Sequence, residues 1–530
     1  MRPVMGACTT PIGDAPASGR QGPRAGGHVA LRPRVAPVRA SATGGESATG
    51  RGASSPVGEA SLSAVLGAMP ELPAIRRAPR SLPLAGHAVP LLVQPLEFLK
   101  SLPALGDLVK VRMGPGDAYV PCDPALFRQI LKDTRLYDKG GLFYDRGREA
   151  VGNGLVTSRW ADHRRQRPLM QPSFDHRHIG HYAELMADET EALMRSWRSG
   201  EVVDVDKAMA RLTLRITTRS LFSVPADHAL VAQVEKWLPI LMDGFFRRMF
   251  VPARVLSLVP TKMNRQYPRA IAEMRRLTEE IIDEVRRKKD EDPGLLASLM
   301  NARDETTGAP LGTQEIFDQV LILLIAGSET TATALAFTFH LLGAHPGIAA
   351  RLREEVDGVL GGRTPRFEDL SGLTFTRQVL MESLRLYPPA WMFTRSTTTA
   401  CELGGHAFPE GTTFLLSPYI LHHDPELFPR PERFDPDRWR PGAMSDVARR
   451  SVLPFGAGGR KCIGDQFALN EAMLAVAGIA GRWDLTPVGD RPMRPIARAT
   501  LKTGPLPMRL KQRPHEPVRN ATTADLRDQR

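Results

Sequence analysis

From Thr313 to the residue before Pro346 the chain reads TQEIFDQVLILLIAGSETTATALAFTFHLLGAH, with no proline and two glycines. Thr313 is a favoured N-cap residue, and Glu315 in the first turn complements the helix dipole. One helix of about 31 residues, roughly 46 Å long, is therefore expected. Its middle is apolar on nearly every side. Such a helix has to cross the interior of a large domain. The longest unbroken apolar run, near VLILLIAG, is only about eight residues, against the roughly 20 of a membrane span, so no transmembrane helix is expected.

A helix that size needs a large body around it, and 530 residues can supply one. Residues 1–74 do not belong to that body. They are rich in Gly, Ala, Ser, Pro and Arg without periodicity, and such a segment is expected to be disordered. Of the chain's formal net charge of +12, residues 1–80 carry half: ten Arg against four acids. The stretch lacks interleaved aromatics and a folded platform, so nucleic-acid binding is not expected. A targeting segment, a disordered tail and a start-site artefact all fit it. Order is expected from about residue 75 to 513 as one domain, followed by a polar tail at 514–530. Within it, DLVKVRMGPGDAYVPCDP (107–124) reads as two strands around a Gly-Pro-Gly turn. Residues 125–390 read as mostly helical. After Pro388 come short strands and turns, a helix after Cys462, and a hairpin at 499–511. The fold class is mainly α with small β-sheets.

Four cysteines lie far apart (Cys8, Cys122, Cys401 and Cys462) and form no C-x-x-C pair. That is neither a disulfide framework nor a zinc site, and it fits a reducing, cytoplasmic compartment. Cys462 ends the loop FGAGGRKCIG, just before a helix expected to begin near Ile463. The glycines do not spell a dinucleotide fingerprint, because Lys461 stands where the last glycine would be. Nor do they spell a phosphate loop, because Lys461 is followed by cysteine. They do let the backbone turn tightly against a flat ligand. Amides at the helix start, with Arg460 beside them, favour a thiolate at Cys462. A thiolate so placed is a haem-iron ligand suited to O–O cleavage.

The spacing F-x-x-G-x-R-x-C-x-G, filled by Phe455, Gly458, Arg460, Cys462 and Gly464, resembles the cytochrome P450 family of haem-thiolate monooxygenases. Three further motifs stand in the family's order. AGSETT (326–331) resembles its oxygen-binding groove, with Ala326 and Gly327 leaving room over the iron and Glu329–Thr330 as an acid–alcohol pair for proton delivery. ESLR (382–385) resembles its E-x-x-R, and Arg433 of FPRPERFDPDRW is the expected third member of a structural ionic triad with Glu382 and Arg385. The resemblance implies one P450 domain with the long helix over haem b. It places Phe455, Gly456 and Arg460 around the cofactor, and Arg395 of RLYPPAWMFTR on a propionate. In SRWADHRRQRPLMQPSF, counting back from Phe174 favours His163 and Arg167 as propionate partners; Trp160 and Arg164 remain the other register. The histidines of HHDP (422–425) have no ligand cluster beside them and are not expected to bind metal.

The resemblance also sets the substrate side. Ile322, Ile325 and Ala326 would line the pocket from the long helix, and Ala390, Trp391 and Phe393 from the segment after E-x-x-R. Residues 137–156 would form part of a lid, and DGFFRRMF (243–250) part of a mobile helix pair. These linings are nearly all apolar, with no obvious buried charge to grip a carboxylate or amine, which points to a small apolar substrate. The lid loop resembles bacterial members that oxidise terpenes, and a cyclic sesquiterpene is the first expectation. Fatty acids and steroids are alternatives. Electrons would come from a ferredoxin and its NAD(P)H-dependent reductase, docking near Arg460 and Lys461, and O2 is the co-substrate. A monomer is expected. A peroxide-using or rearranging enzyme would not need the acid–alcohol pair, and a haem sensor or carrier would not need a roomy pocket.

Overall fold

The computed structural model describes residues 74–514, apart from segments at 84–85, 114–115, 226–227, 251–260, 288–293, 305–306 and 490–491. The N-terminal segment, Cys8 and the tail lie outside the described residues.

The long helix runs over Thr313–Ala344. Its N-cap is Gly312 rather than the expected Thr313. Gly312 has no side chain to cap with, so Glu315 reaches back and accepts its N–H at 3.0 Å. The helix ends just before Pro346, whose ring cannot continue it. Its length and mean hydropathy of 1.8 are those a membrane span would have, but 83% of its most apolar window is buried inside the protein, as in a core helix. Helices Val205–Phe222, Lys262–Arg287, Thr374–Leu386 and Asp465–Arg482 pack around it. The approach of Val205–Phe222 is close. Thr213 Oγ1 donates to the Ser328 carbonyl at 2.8 Å, and a Cβ added at Gly327 would meet Thr217 at 3.1 Å.

The strands, in chain order, are β1 Arg76–Arg77, β2 Leu108–Met113, β3 Gly116–Pro121, β4 Tyr137–Asp138, β5 Val202–Asp204, β6 Phe393–Thr397, β7 Cys401–Leu403, β8 His406–Phe408, β9 Thr413–Leu416, β10 Trp483–Pro487, β11 Ile496–Ala497, β12 Leu501–Lys502 and β13 Pro507–Gln512. Six form one sheet in the order β1-β2-β3-β9-β6-β4, in which β2 and β3 are the antiparallel pair expected at 107–124. The hairpin expected at 499–511 does not form. Instead β12 pairs with β11, and β13 lies between β10 and β5. The chain turns away at Gly504, in the left-handed region at φ +72°. Met508 and Leu510 alternate inward along β13, and both are fully buried against the helices.

Helix Thr374–Leu386 carries the E-x-x-R pair. Its N-terminus is capped from the preceding helix, where Glu355 accepts the N–H groups of Phe375 and Thr376. Glu382 and Arg385 are both fully buried and joined by two hydrogen bonds of 2.8 and 2.9 Å. Arg433 is not the third member. It is exposed and offers only its carbonyl to Arg385, at 3.3 Å. Arg438 lies 3.3 Å from Glu382 instead, and Trp439 Nε1 donates to the same carboxylate at 3.1 Å. A carboxylate buried this deeply needs its charges and donors in place, and Arg438 is the cation that faces inward.

Candidate active site

The cysteine loop is shaped by backbone constraints. Gly456 and Gly458 sit at φ +68° and +67°, and a Cβ at Gly458 would collide with the Leu131 carbonyl. Cys462 N–H closes the loop on the Phe455 carbonyl at 2.9 Å. His422 anchors its start. Its Nε2 accepts the Leu453 N–H at 2.9 Å, and its Nδ1 faces the Arg385 carbonyl at 3.1 Å, which requires the neutral ring with the proton on Nδ1. Burial holds His422 well below the ordinary histidine range. His423 accounts for itself through Tyr419. No cluster of metal-ligating side chains occurs among the described residues.

Helix Asp465–Arg482 begins two residues later than expected, after Gly464. Cys462 is accessible, and the space it opens on is a cavity of about 350 Å³ between the loop and the long helix. Protein encloses it closely enough that burial raises its thiol pKa. The Gly464 amide opposes that, Asp465 adds to it, and Arg167 and Lys461 oppose it. Phe455, Gly456 and Arg460 line the same cavity. From the long helix come Leu323, Ala326, Gly327, Thr330, Thr331 and Ala334. Thr330 Oγ1 donates to the Ala326 carbonyl at 2.8 Å. Glu329 is buried behind the cavity wall, accepting from Thr500 and Lys502.

Charge is confined to one cluster of the lining: Lys139, Arg395 and Arg460, with no carboxylate among the described lining residues. Arg460 pairs with buried Asp138 at 2.7 Å and donates to the Ser158 carbonyl. Its guanidinium is 2% exposed, so it faces inward and cannot form part of the surface docking patch expected there; Lys461 remains exposed. Burial draws Arg460 down to about 10. Arg395 donates to Tyr144 Oη, while its Nε is buried without a partner. Lys139 donates to the carbonyls of Leu155 and Val156, and burial lowers its pKa far below the lysine norm, with Arg460 and Arg395 adding to the effect. Three basic side chains face one carboxylate here, an excess of positive charge that an anionic ligand would balance.

His163 is buried beside this cluster, and burial, followed by the charges of Arg460 and Lys139, holds it down at about 2. Arg167 donates to the Lys461 carbonyl at 2.6 Å, next to the cysteine. Neither lines the cavity. In the other register, Trp160 stacks between Arg135 and Arg164, and Arg164 is exposed.

The expected pocket residues divide. Ala326, Ala390 and Phe393 line the cavity. Ile322 packs over Gly154, and Ile325 joins the core. Trp391 is 1% exposed and turned away from the cavity; its Nε1 donates to the Arg498 carbonyl and its ring neighbours Phe246. Met392, the next residue, lines the cavity instead. The segment 137–156 contributes Lys139, Phe143, Tyr144 and Val156, and the turn between β11 and β12 contributes Ala499 and Thr500. That segment is tied to the long helix through Asp318, which accepts the Asn153 N–H, and Gln319, which accepts that of Leu155. Phe245 of helix Ala229–Phe250 packs edge-on against Phe143. Lys139 is the one lysine of the 137–156 segment, but acids and arginines surround it there, and Ala499 and Thr500 have no local signal either.

The family model for cytochrome P450 matches residues 77–511. The chain belongs to the cytochrome P450 family, and it is a haem-thiolate monooxygenase, an oxidoreductase. It is 48% identical to a cyclooctatin synthase of Streptomyces melanosporofaciens, over 81% of this chain and 94% of that protein. It is equally similar to a cyclooctat-9-en-7-ol 5-monooxygenase of the same organism, over the same shares. A pentalenene oxygenase of Streptomyces avermitilis is 44% identical, over 80% of this chain and 94% of its own length.

Proposed function

We propose that this enzyme inserts one oxygen atom of O2 into a cyclic terpene, a hydrocarbon or an alcohol with few polar groups. The observation that carries this is the cavity: Cys462 on one wall, the Ala326–Thr330 groove on the other, and apolar residues elsewhere, with every lining charge in the Lys139–Arg395–Arg460 cluster. The names of the relatives support a terpene. A sesquiterpene is the first class to assay. A fatty acid is disfavoured, because the cations that could hold its carboxylate are the ones that fit the cofactor.

The residues fit iron protoporphyrin IX. Its carboxylates suit the excess of basic side chains there, and Arg395 Nε supplies a free buried donor. Cys462 would hold the iron as a thiolate, deprotonated by the metal; the haem would supply O2 activation. Lys139, Arg395 and Arg460 would hold its carboxylates. His163 and Arg167 support them from behind, and Arg167 also braces the loop carrying Cys462. The Thr330 hydroxyl, on the cavity wall, passes protons inward, and Glu329 is the acid that supplies them. Phe143, Met392 and Leu323 exclude water and hold the apolar substrate. Electrons come from a separate ferredoxin, for which Lys461 is one surface contact, and the enzyme works as a monomer in the reducing cytoplasm.

The test begins with the absorption spectrum of the dithionite-reduced protein under carbon monoxide. A strongly red-shifted Soret band is expected for thiolate ligation by Cys462; a histidine-type band would overturn it. Titration with cyclic sesquiterpenes and fatty acids follows, read as a spin-state change. A shift with fatty acids alone would overturn the substrate class.

A further inference from the structure

Glu329 is not held by the long helix that carries it. Its Oε1 accepts from Lys502 Nζ at 2.8 Å and from Thr500 Oγ1 at 3.1 Å, while its Oε2 is buried without a partner. Both donors belong to the β11–β12 segment, more than 170 residues away in the chain. That segment is itself fixed. Leu501 N–H donates to the Pro389 carbonyl at 3.0 Å, and the Arg498 carbonyl accepts from Trp391. Ala499 and Thr500 form part of the cavity wall, and the next residues lead to Lys502, whose side chain is 27% exposed. One short hairpin thus touches substrate space, the acid and solvent.

We propose that Lys502 is a positioning residue for oxygen activation. Its ammonium holds the Glu329 carboxylate beside Thr500, at the back of the wall that Thr330 lines, and so keeps the acid in reach of the Thr330 hydroxyl instead of letting it turn elsewhere. This rests on reading Glu329 and Thr330 as the proton-delivering pair. A near-buried carboxylate with one unpartnered oxygen has no other cation within ion-pair distance among the described residues. Lys502 is accordingly what makes its buried position tolerable.

The test uses the haem-loaded enzyme with surrogate ferredoxin and reductase. Lys502→Met should lower product formed per NADPH about fivefold and raise peroxide release, with the substrate-induced spin shift and its affinity unchanged. Glu329→Gln should do the same, and the double variant should be no worse than either single one. Melting temperatures give a second readout: the double variant should lose less than the sum of the single losses, because each single change leaves a charge unpaired. Lys502→Gln replaces the methionine variant if that does not fold. Wild-type coupling in the Lys502 variant, or additive losses in the double variant, would overturn the proposal. If Thr330→Ala and Glu329→Gln both stay fully coupled, the acid–alcohol reading itself fails, which is a separate result.

Discussion

Lys139 is an ammonium group with 8% exposure, hydrogen-bonded to two backbone carbonyls and surrounded by arginines. Unliganded, that arrangement is costly; facing a carboxylate it is favourable. Lys139→Met should therefore act with opposite signs. The haem-free protein should keep or gain stability in denaturant unfolding, because a group whose charged form burial disfavours is removed. The loaded protein should release haem faster to an apo-myoglobin acceptor. Equal changes in both forms would remove Lys139 from the cofactor site. The arginines near Glu382 give a second residue-scale contrast. Arg438→Met should cost about 3 kcal/mol, since it strips a partner from a fully buried carboxylate. Arg433→Met should stay within about 0.5 kcal/mol, as for other surface changes. PERF (431–434) and PDRW (436–439) offer the same proline-acid-arginine-aromatic pattern five residues apart, so local sequence could not choose between them. The choice is made by which arginine the 3-10 turn Pro436–Trp439 aims at Glu382.

Among elements, the cysteine loop and the long helix each depend on one glycine. Gly458 has a left-handed φ and abuts the Leu131 carbonyl. Gly458→Ala combines backbone strain with a backbone clash, and should abolish the red-shifted carbon monoxide band even where the protein still folds. Gly327 is different: its φ is helical, and the neighbour is the Thr217 side chain on Val205–Phe222. The room that AGSETT leaves is thus partly spent on helix–helix approach. Trp391 shows how an element reassigns a residue. On entering β6 it faces the core, so Trp391→Ala should cost about 3–5 kcal/mol in stability. Met392→Ala should instead change product ratios, measured by gas chromatography of turnover mixtures.

At the scale of the molecule, the buried histidines govern acid stability. His422 lies well below its ordinary range and His423 at about 4, in both cases chiefly through burial. The unfolded chain takes up these protons near pH 6.5, the native one does not. Their contribution is therefore complete above about pH 6.5 and declines as pH falls toward 4, by up to about 1.4 kcal/mol per pH unit for each ring. Urea unfolding between pH 7 and 4.5 should show this decline. His422→Gln should flatten it, at the cost of loosening the Leu453 end of the cysteine loop.

Local sequence determined what depends on short range. The long helix, the two strands at 107–124 and the tight glycine loop before Cys462 follow from periodicity, caps and left-handed positions, which involve neighbours in the chain. The residues grouped at the cavity by one motif apiece, Cys462, Arg460, Ala326 and Thr330, were legible for the same reason. Tertiary structure alone decided the rest. It chose Arg438 over Arg433, turned Trp391 into the core and Met392 toward the cavity, paired β12 and β13 with different partners, and brought Lys502 to Glu329. Each is a contact between segments far apart in the chain, fixed by burial and charge balance, and no local pattern encodes which distant group will face inward.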